Sequence, residues 1–451
     1  MATTEFTRTQ TAGTSTKKLT VSTWLKRGSD FGTNNAFFSC GTGASDGFNI
    51  GFTSNNYLIL EAYDGSANPK LETNRKFRDP GAWYHIVAVW DTDAAATDRM
   101  RFYVNGVEET SFAQDTNPTS SYVIPGWSGS GDTMRIGQTT LSGWGYFDGD
   151  MAHVHVCDGQ AYAASDFGET DSTSGIWVAK SSPSVTYGTN GGFYKFVSGA
   201  LTTDSSGESN TLTSVGTPTT TKDTPDNNFA TWNPLLFGVY GPAGTYTNGN
   251  TTWASTGGNY RPVCATVGLT AGLWYWEAKQ TTHSGTQQTR IGISGDQYTE
   301  GPSNNYSLGY TAMEFALVSD GDSRTNNTNT SYGVSIAQND IIGVYMDLDA
   351  NKLYFAKNGV VMNSGTGITI TAASTTSSQM WVPATSYDSA STGTFETNFG
   401  NGYFGSTVVT SGVADAGGEG TFEYDPSAGT FDGSSKDFRA ICTVNLGTYG
   451  G

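Results

Sequence analysis

The sequence predicts an all-β protein: two antiparallel, jelly-roll-like β-sandwiches joined by a polar linker. Three observations carry that expectation. In residues 341–362, Ile342, Val344, Met346 and Leu348 alternate with Gly343, Tyr345 and Asp347, the period of two of a half-buried strand. Asp349, Ala350 and Asn351 break the run as turn formers. Leu353 and Phe355 then resume it, and Asn358-Gly359 marks a second tight turn, since both residues tolerate positive φ. A counterpart at residues 86–107 closes on Asn105-Gly106, which points to two domains. Composition agrees: 58 glycines and 13% aromatics accompany only 14% charged residues. Turn and β formers outweigh helix formers, and the aromatic content suits packed cores rather than disorder.

A chain of 451 residues is long enough for two or three cores. Its 23 basic and 41 acidic side chains leave a formal charge of −18. Such a surface repels a phosphate backbone, so nucleic acid is not an expected partner, and solubility is the simple reading of the charge. Cys40, Cys157, Cys264 and Cys442 lie far apart, with no CxxC pair, and each sits in or beside an apolar run. Buried free thiols are expected, a Cys264–Cys442 bridge being the alternative. The N-terminal residues lack an apolar signal core, and no stretch reaches the ~18 apolar residues that cross a bilayer. The expectation is a chain assembled in a cytoplasm and exposed later, with no membrane insertion.

The first domain, residues 1–200, reads as successive strands: LTVSTWLKRG, AFFSCG, GFNIGFT and YLILEAY, then a strand, a polar loop and a strand over 82–109. MRIGQT and MAHVHVCDG follow, and GGFYKFVSG at 191–199 closes the set. Residues 201–228, rich in Thr, Ser, Asp and Pro, read as an extended linker. The second domain, 229–451, carries GLWYWEAKQ, RIGISG, YSLGYTAMEFAL, the 341–362 hairpin, Trp381-Val382-Pro383 and FETNFG.

Two resemblances follow from these phrases. Trp83, His85, Val87 and Val89, then Arg101-Phe102-Tyr103-Val104-Asn105-Gly106, Phe147-Asp148-Gly149 and Ala163-Ser165-Asp166-Phe167-Gly168 resemble the laminin-G/concanavalin-A-like lectin family. That likeness implies a two-sheet jelly roll that often binds glycans, sometimes through calcium. The second half resembles SPRY domains: GLWYWEA, then IIGVYMDLD with LYFAKNG, then NFG, in that order. A long insertion between Phe404 and Phe422, and the loops at 280–289 and 318–332, depart from that pattern. The phrases FDGDMAHVHVCDGQAYAASDFGE, LTTDSSGESN and DTPDNNFATWNPL look like wording of structural proteins of marine bacteriophages.

The lectin-like fold also hosts glucanases, whose retaining mechanism needs closely spaced carboxylates, as E-x-D-x-E on one strand face. Here the nearest approach is Glu169-Thr170-Asp171, followed by Ser172, Thr173 and Ser174. With no G-x-S-x-G, phosphate loop or Cys/His arrangement either, no enzyme is expected. Calcium in the lectin-like domain would fall to Asp46, Asp64, Asp91, Asp93 and Asp98, although loop aspartates also form turns. Asp347, Asp349 and Asn351 mimic the start of an EF-hand loop, but Lys352 stands where glycine is required, so turn chemistry is expected there. His153 and His155, two apart on a strand, would point the same way, as half a metal site or as strand-surface residues. His85 takes a structural place in the lectin-like pattern, and His283 lies in a polar loop.

Function is then expected in loops carrying aromatic rings beside Asn, Asp and Gly, because a ring stacks on the apolar face of a sugar while polar groups bond its hydroxyls. The candidates are Trp127, Trp144 and Tyr146 in the first domain, and Tyr298, Tyr306 and Tyr332 in the second. The alternative for each is packing of a loop onto its own sandwich. The whole reads as a non-enzymatic phage surface protein, a fibre or adhesin attaching to host-surface carbohydrate or receptor. Other readings are a capsid decoration or fibre component bound to other virion proteins, and a polysaccharide depolymerase. A homo-oligomer or multivalent array would let weak sites act together.

Overall fold

A computed structural model describes residues 4–43, 46–235, 244–256, 262–284, 288–296, 307–388 and 391–450. The chain divides into two compact units, residues 1–220 and 221–451. Both are β-sandwiches, as expected, and among the described residues the one α-helix is the short Thr443–Tyr449.

In the first unit the strands are β1 (Glu5–Thr9), β2 (Lys18–Arg27), β3 (Asn35–Gly43), β4 (Asp46–Phe52), β5 (Tyr57–Tyr63) and β6 (Lys70–Lys76). Next come β7 (Trp83–Asp91), β8 (Met100–Val104), β9 (Val107–Glu108), β10 (Phe112–Thr116), β11 (Thr133–Ile136), β12 (Gly145–Tyr146) and β13 (Gly149–Asp158). The unit ends with β14 (Gly168–Thr170), β15 (Trp177–Ala179), β16 (Gly192–Tyr194) and β17 (Thr213–Val215). One sheet runs β10-β6-β5-β4-β3-β11-β1-β17, with β12 beside β3; the other runs β16-β13-β2-β7-β8-β9. Their inner faces supply Phe38, Phe48, Ile50, Leu60, Ile86, Trp90, Phe102 and Val156 to one core, as strand alternation requires.

The outer face of the second sheet is also buried. Residues 159–191 cross it as a strap whose Ala164, Phe167 and Tyr187 pack on Val87, Val89, Tyr103, Cys157 and Phe193. Two histidines lie in this layer. Trp177 Nε1 donates to His85 Nδ1 at 2.9 Å, and an indole N–H can only donate. The His85 proton therefore sits on Nε2, 2.9 Å from Ser22 Oγ. His155 stacks on Phe193 at 3.9 Å, with its Nδ1 3.0 Å from the Tyr187 hydroxyl. His153 and His155 both stack on Phe193, at 6.0 and 3.9 Å between ring centroids, across a bulge where the register against β2 shifts between Ala152 and His155 and His153 adopts a φ of 50°.

In the second unit the strands are β18 (Gly244–Thr247), β19 (Thr252–Ser255), β20 (Val263–Cys264), β21 (Leu273–Ser284), β22 (Thr289–Ser294), β23 (Glu314–Val318) and β24 (Asp322–Thr325). They continue as β25 (Thr328–Ser331), β26 (Ile341–Asp347), β27 (Lys352–Lys357), β28 (Val360–Val361), β29 (Ile368–Thr369), β30 (Val382–Tyr387) and β31 (Thr392–Asn398). The sheets run β18-β19-β31-β21-β26-β27-β28 and β20-β30-β22-β23-β24-β25. The hairpin that anchors the sequence reading is β26–β27, and Asn351 (φ 55°), Asn358 (φ 50°) and Gly359 (φ 79°) make its turns. Asp347 receives the Ala350 N–H at 2.8 Å and pairs with Lys436 at 2.6 Å, while Asp349 receives the Gly272 N–H at 2.8 Å. The acidic triplet is turn and tether chemistry.

The stretch 201–228, expected as a solvated linker, is shared between the units. Leu212 is buried in the first core, β17 pairs with β1, and Asn210 donates to Gly191 O at 2.6 Å. Beyond it, the Lys222 N–H donates to Asn401 O at 3.4 Å within the second unit. Low hydrophobicity hid this role, because the segment is held mainly by polar contacts. All four cysteines are buried free thiols, so the alternative Cys264–Cys442 bridge is not formed.

Candidate carbohydrate-contact site

Three loops of the first unit meet at one end of the sandwich: residues 28–34, 53–56 and 137–148. Asn34 ties them together. Its carbonyl accepts from the Gly145 N–H at 2.8 Å, its Oδ1 from the Ser54 N–H at 2.7 Å, and its Nδ2 donates to Gly143 O at 3.4 Å. Below it, the Arg27 guanidinium donates to Asn56 Oδ1 (3.0 Å), Phe77 O (2.6 Å) and Asp30 O (2.6 Å). Its plane covers Phe52 and Phe31, 4.4 and 4.8 Å from the ring centroids. Burial pulls the Arg27 pKa down to about 10, with Asp30, Tyr84 and Asp148 acting against it. Burial likewise raises the Asp148 carboxyl, although the Ser29 N–H donates to it at 3.1 Å.

On this frame Trp144 and Tyr146 are half-buried, with Asp30 and Phe31 similarly placed and Thr33, Ser54 and Asn55 exposed. The two candidate rings are thus brought together, two residues apart, on a segment fixed to β3 through β12. Half-exposed rings among hydroxyl, amide and carboxylate groups can stack on a sugar and bond its hydroxyls.

The other candidates fare differently. Trp127 is 2% exposed and packs on Phe38 in the core, so its indole offers no face to a ligand. The cause is a close crossing: a Cβ on Gly126 would lie 2.3 Å from Gly41 Cα, and this approach drives Trp127 inward. Tyr332, 7% exposed, lies edge-on to Phe355 in the second core. Tyr298 and Tyr306 lie outside the described residues. Sequence reasoning missed Arg27, Asp30 and Asn34; the run Gly32-Thr33-Asn34-Asn35 was the available signal.

The calcium candidates do not converge. Asp64 accepts from Ser66 and Ala67 backbone N–H groups (2.9 and 2.8 Å), which holds its carboxyl below the ordinary range. Lys17 and Lys18 reach Asp93 at 3.3 and 3.5 Å, and Lys18 reaches Asp91 at 3.5 Å. Asp46 receives the Thr42 hydroxyl and Asp98 that of Thr97. Among the described residues no three His, Cys, Asp or Glu side chains are grouped for a metal.

Two carboxylates of the second unit are enclosed. Glu277 accepts from the Glu423 and Tyr424 N–H groups (3.0 and 2.8 Å), the Tyr275 hydroxyl (3.0 Å) and Asn398 Nδ2 (3.2 Å). Burial nonetheless lifts its pKa to about 7. Glu314 accepts from the Gly309, Tyr310 and Thr311 N–H groups, and burial lifts it to about 8. Both act as internal clamps on neighbouring segments.

Comparison with known proteins fits this architecture. Residues 2–165 match the concanavalin A-like lectin/glucanases superfamily, and residues 273–402 match the SPRY domain. Modules of these kinds fit a carbohydrate- or protein-binding role. No curated protein matches the chain by sequence. Solved structures with some likeness include a heptameric SAP-like pentraxin from Limulus polyphemus, at 20% identity over 36% of this chain and 72% of that one, TM-score 0.27. Another is the SPRY domain of human HERC1, at 17% identity over 37% and 96%, TM-score 0.29. A third is the TRIM65 PSpry domain, at 14% identity over 37% and 88%, TM-score 0.27. At these scores the structural likenesses carry no argument.

Proposed function

We propose that this chain is a non-enzymatic attachment protein that binds surface carbohydrate through the loop end bearing Trp144 and Tyr146. The observation that carries the reading is the tie at Asn34, which holds two half-buried rings among Asp30, Thr33, Ser54 and Asn55. The proposed setting is the outside of a bacteriophage particle, on the resemblance of its phrases to those of phage structural proteins, with other virion proteins as neighbours. Several copies in an array would multiply a weak single-site affinity. The test is binding to a glycan array and to whole host cells. Trp144→Ala should lower binding by about 10-fold or more, as loss of one stacked ring implies, with an unchanged thermal midpoint. Equal binding by wild type and variant rejects the site; no binding by either rejects the reading.

A further inference from the structure

One polar side chain stands apart from its neighbours on the outer face of the larger sheet in the first unit. Phe48, Ile50 and Phe52 of β4 point into the core, so Gly47, Asn49 and Gly51 line the opposite face. Asn49 is 0% exposed, and neither its Oδ1 nor its Nδ2 has a hydrogen-bond partner. A buried amide without partners is strongly unfavourable, and native structures rarely tolerate one without a reason.

The surroundings show what covers it. Asn49 stands opposite Ser39 on β3 and Glu61 on β5, with Arg135 next to Ser39 and Lys70 next to Glu61 in the same row across the sheet. The charges of the row are paired, Arg135 Nη1 with Glu5 at 2.8 Å and Glu61 with Lys70 at 3.1 Å, and Ser39 donates to Gln138 O at 2.8 Å, while Arg135 Nε has no partner. Above the row runs the loop 138–146, closed at its base by the Phe147 N–H on Gly137 O at 2.9 Å. Thr140 Oγ1 donates to Gly43 O at 3.3 Å, a Cβ on Gly47 would touch Leu141 at 3.4 Å, and Gly145 returns to Asn34. The loop therefore reaches both ends of β3 and touches Ser39 and Gly47, the cross-strand and same-face neighbours of Asn49. It is also the segment that carries Trp144 and Tyr146.

We propose that Asn49 is the polar floor of a saccharide-binding trough, which residues 138–142 cover in the free protein and uncover for the ligand, while Gly143 and Gly145 stay tied to Asn34. The inference rests on the carbohydrate reading above. An amide presents a donor and an acceptor side by side, the complement of two adjacent hydroxyls. Gly47 and Gly51 leave the floor shallow on either side of it. The flanking charges are already paired in the protein, which favours a neutral sugar over an anionic one. Occupancy would satisfy the amide, and the tied end of the loop would hold the aromatic rings beside the same ligand.

The experiment is Asn49→Leu in the full chain, read by thermal midpoint and by an array of neutral and anionic oligosaccharides. Leucine has a similar volume and no polar atoms. The expected result is a midpoint raised by about 2–4 °C, with binding to neutral glycans reduced at least 10-fold. A raised midpoint with binding retained overturns the inference and leaves the Trp144 site standing. A lowered midpoint with binding retained means that an internal water alone satisfies Asn49, which also overturns it. Should Asn49→Leu fail to fold, Asn49→Ser serves in its place, with the same loss of binding expected and retained binding overturning the inference. Absence of glycan binding by the wild type removes the carbohydrate reading and this inference together.

Discussion

Asn105 and Asn358 solve the same problem in the two units. Each takes a left-handed conformation, φ 48° and 50°, followed by glycine at 84° and 79°. Each side chain accepts the backbone N–H across the hairpin, from His85 and from Ile341, both at 2.8 Å. Alanine would lose that acceptor and pay for the left-handed backbone, so Asn105→Ala should cost about 1–2 kcal/mol. Urea unfolding should show it as a lowered midpoint with unchanged slope. Both turns were legible in the sequence, because Asn-Gly after an alternating run has a local cause. Trp127 and Trp144 show where local reasoning stops: both sit in glycine-rich loops, and only the contact of Gly126 with Gly41, distant in sequence, sends one inward. His85 has a comparable hidden context. Burial, with His153 nearby, holds its pKa down to about 3, so it folds neutral. The unfolded chain binds that proton below about 6.5, hence stability is intact above this value and falls as pH drops toward 3. The slope is about 1.4 kcal/mol per pH unit for this group. His85→Gln, whose amide can serve both Trp177 and Ser22, should flatten that slope in acid titrations followed by tryptophan fluorescence.

At the scale of elements, each sandwich is wrapped by a strap. In the second unit Phe422, Phe431, Phe438 and Cys442 pack on Tyr275, Tyr345 and Tyr354, the outer face of β21, β26 and β27. Tyr354 donates to Asp432 at 2.9 Å, Lys436 holds Asp347, and Glu277 receives the backbone at 423–424. Because burial raises Glu277 to about 7, the folded state holds its proton above the ordinary carboxyl range. Its contribution is fully present below about 4.5 and is lost as pH rises through 7. Glu277→Gln should remove this alkaline sensitivity while lowering stability by about 1–3 kcal/mol, since its amide N–H groups would face two donors. Thermal midpoints between pH 4 and 8 check both parts. The straps were not legible because they are irregular: their aromatics follow no period of 2 or 3.6, and a strap pattern exists only against the face it covers.

At the scale of the molecule, the sandwiches were readable from alternation and turns, while the irregular segments that complete them were not. The family matches end at residues 165 and 402, whereas the units run to 220 and 451. The segments beyond the matches include much of both straps. The two units also respond to pH in opposite senses: the first weakens in acid through His85 and His155, whose pKa values burial lowers. The second weakens as pH rises, through Glu277 and Glu314, which burial raises to about 7 and about 8. Calorimetry of the full chain should therefore resolve two transitions, the first unit's midpoint falling as pH drops below about 6.5 and the second's falling as pH rises from about 4.5 to about 8. A single transition moving in one direction across that range would contradict independent units.

The four buried thiols give this chain its own set of reporters. Burial raises the pKa of each, so none is a ready nucleophile while its surroundings stay closed. Cys40 lies in the first core and Cys157 beneath the first strap; Cys264 lies on the covered face of the smaller sheet in the second unit, and Cys442 beneath the second strap. Pulsed alkylation followed by peptide mapping would time the opening of each layer separately, with no engineered label.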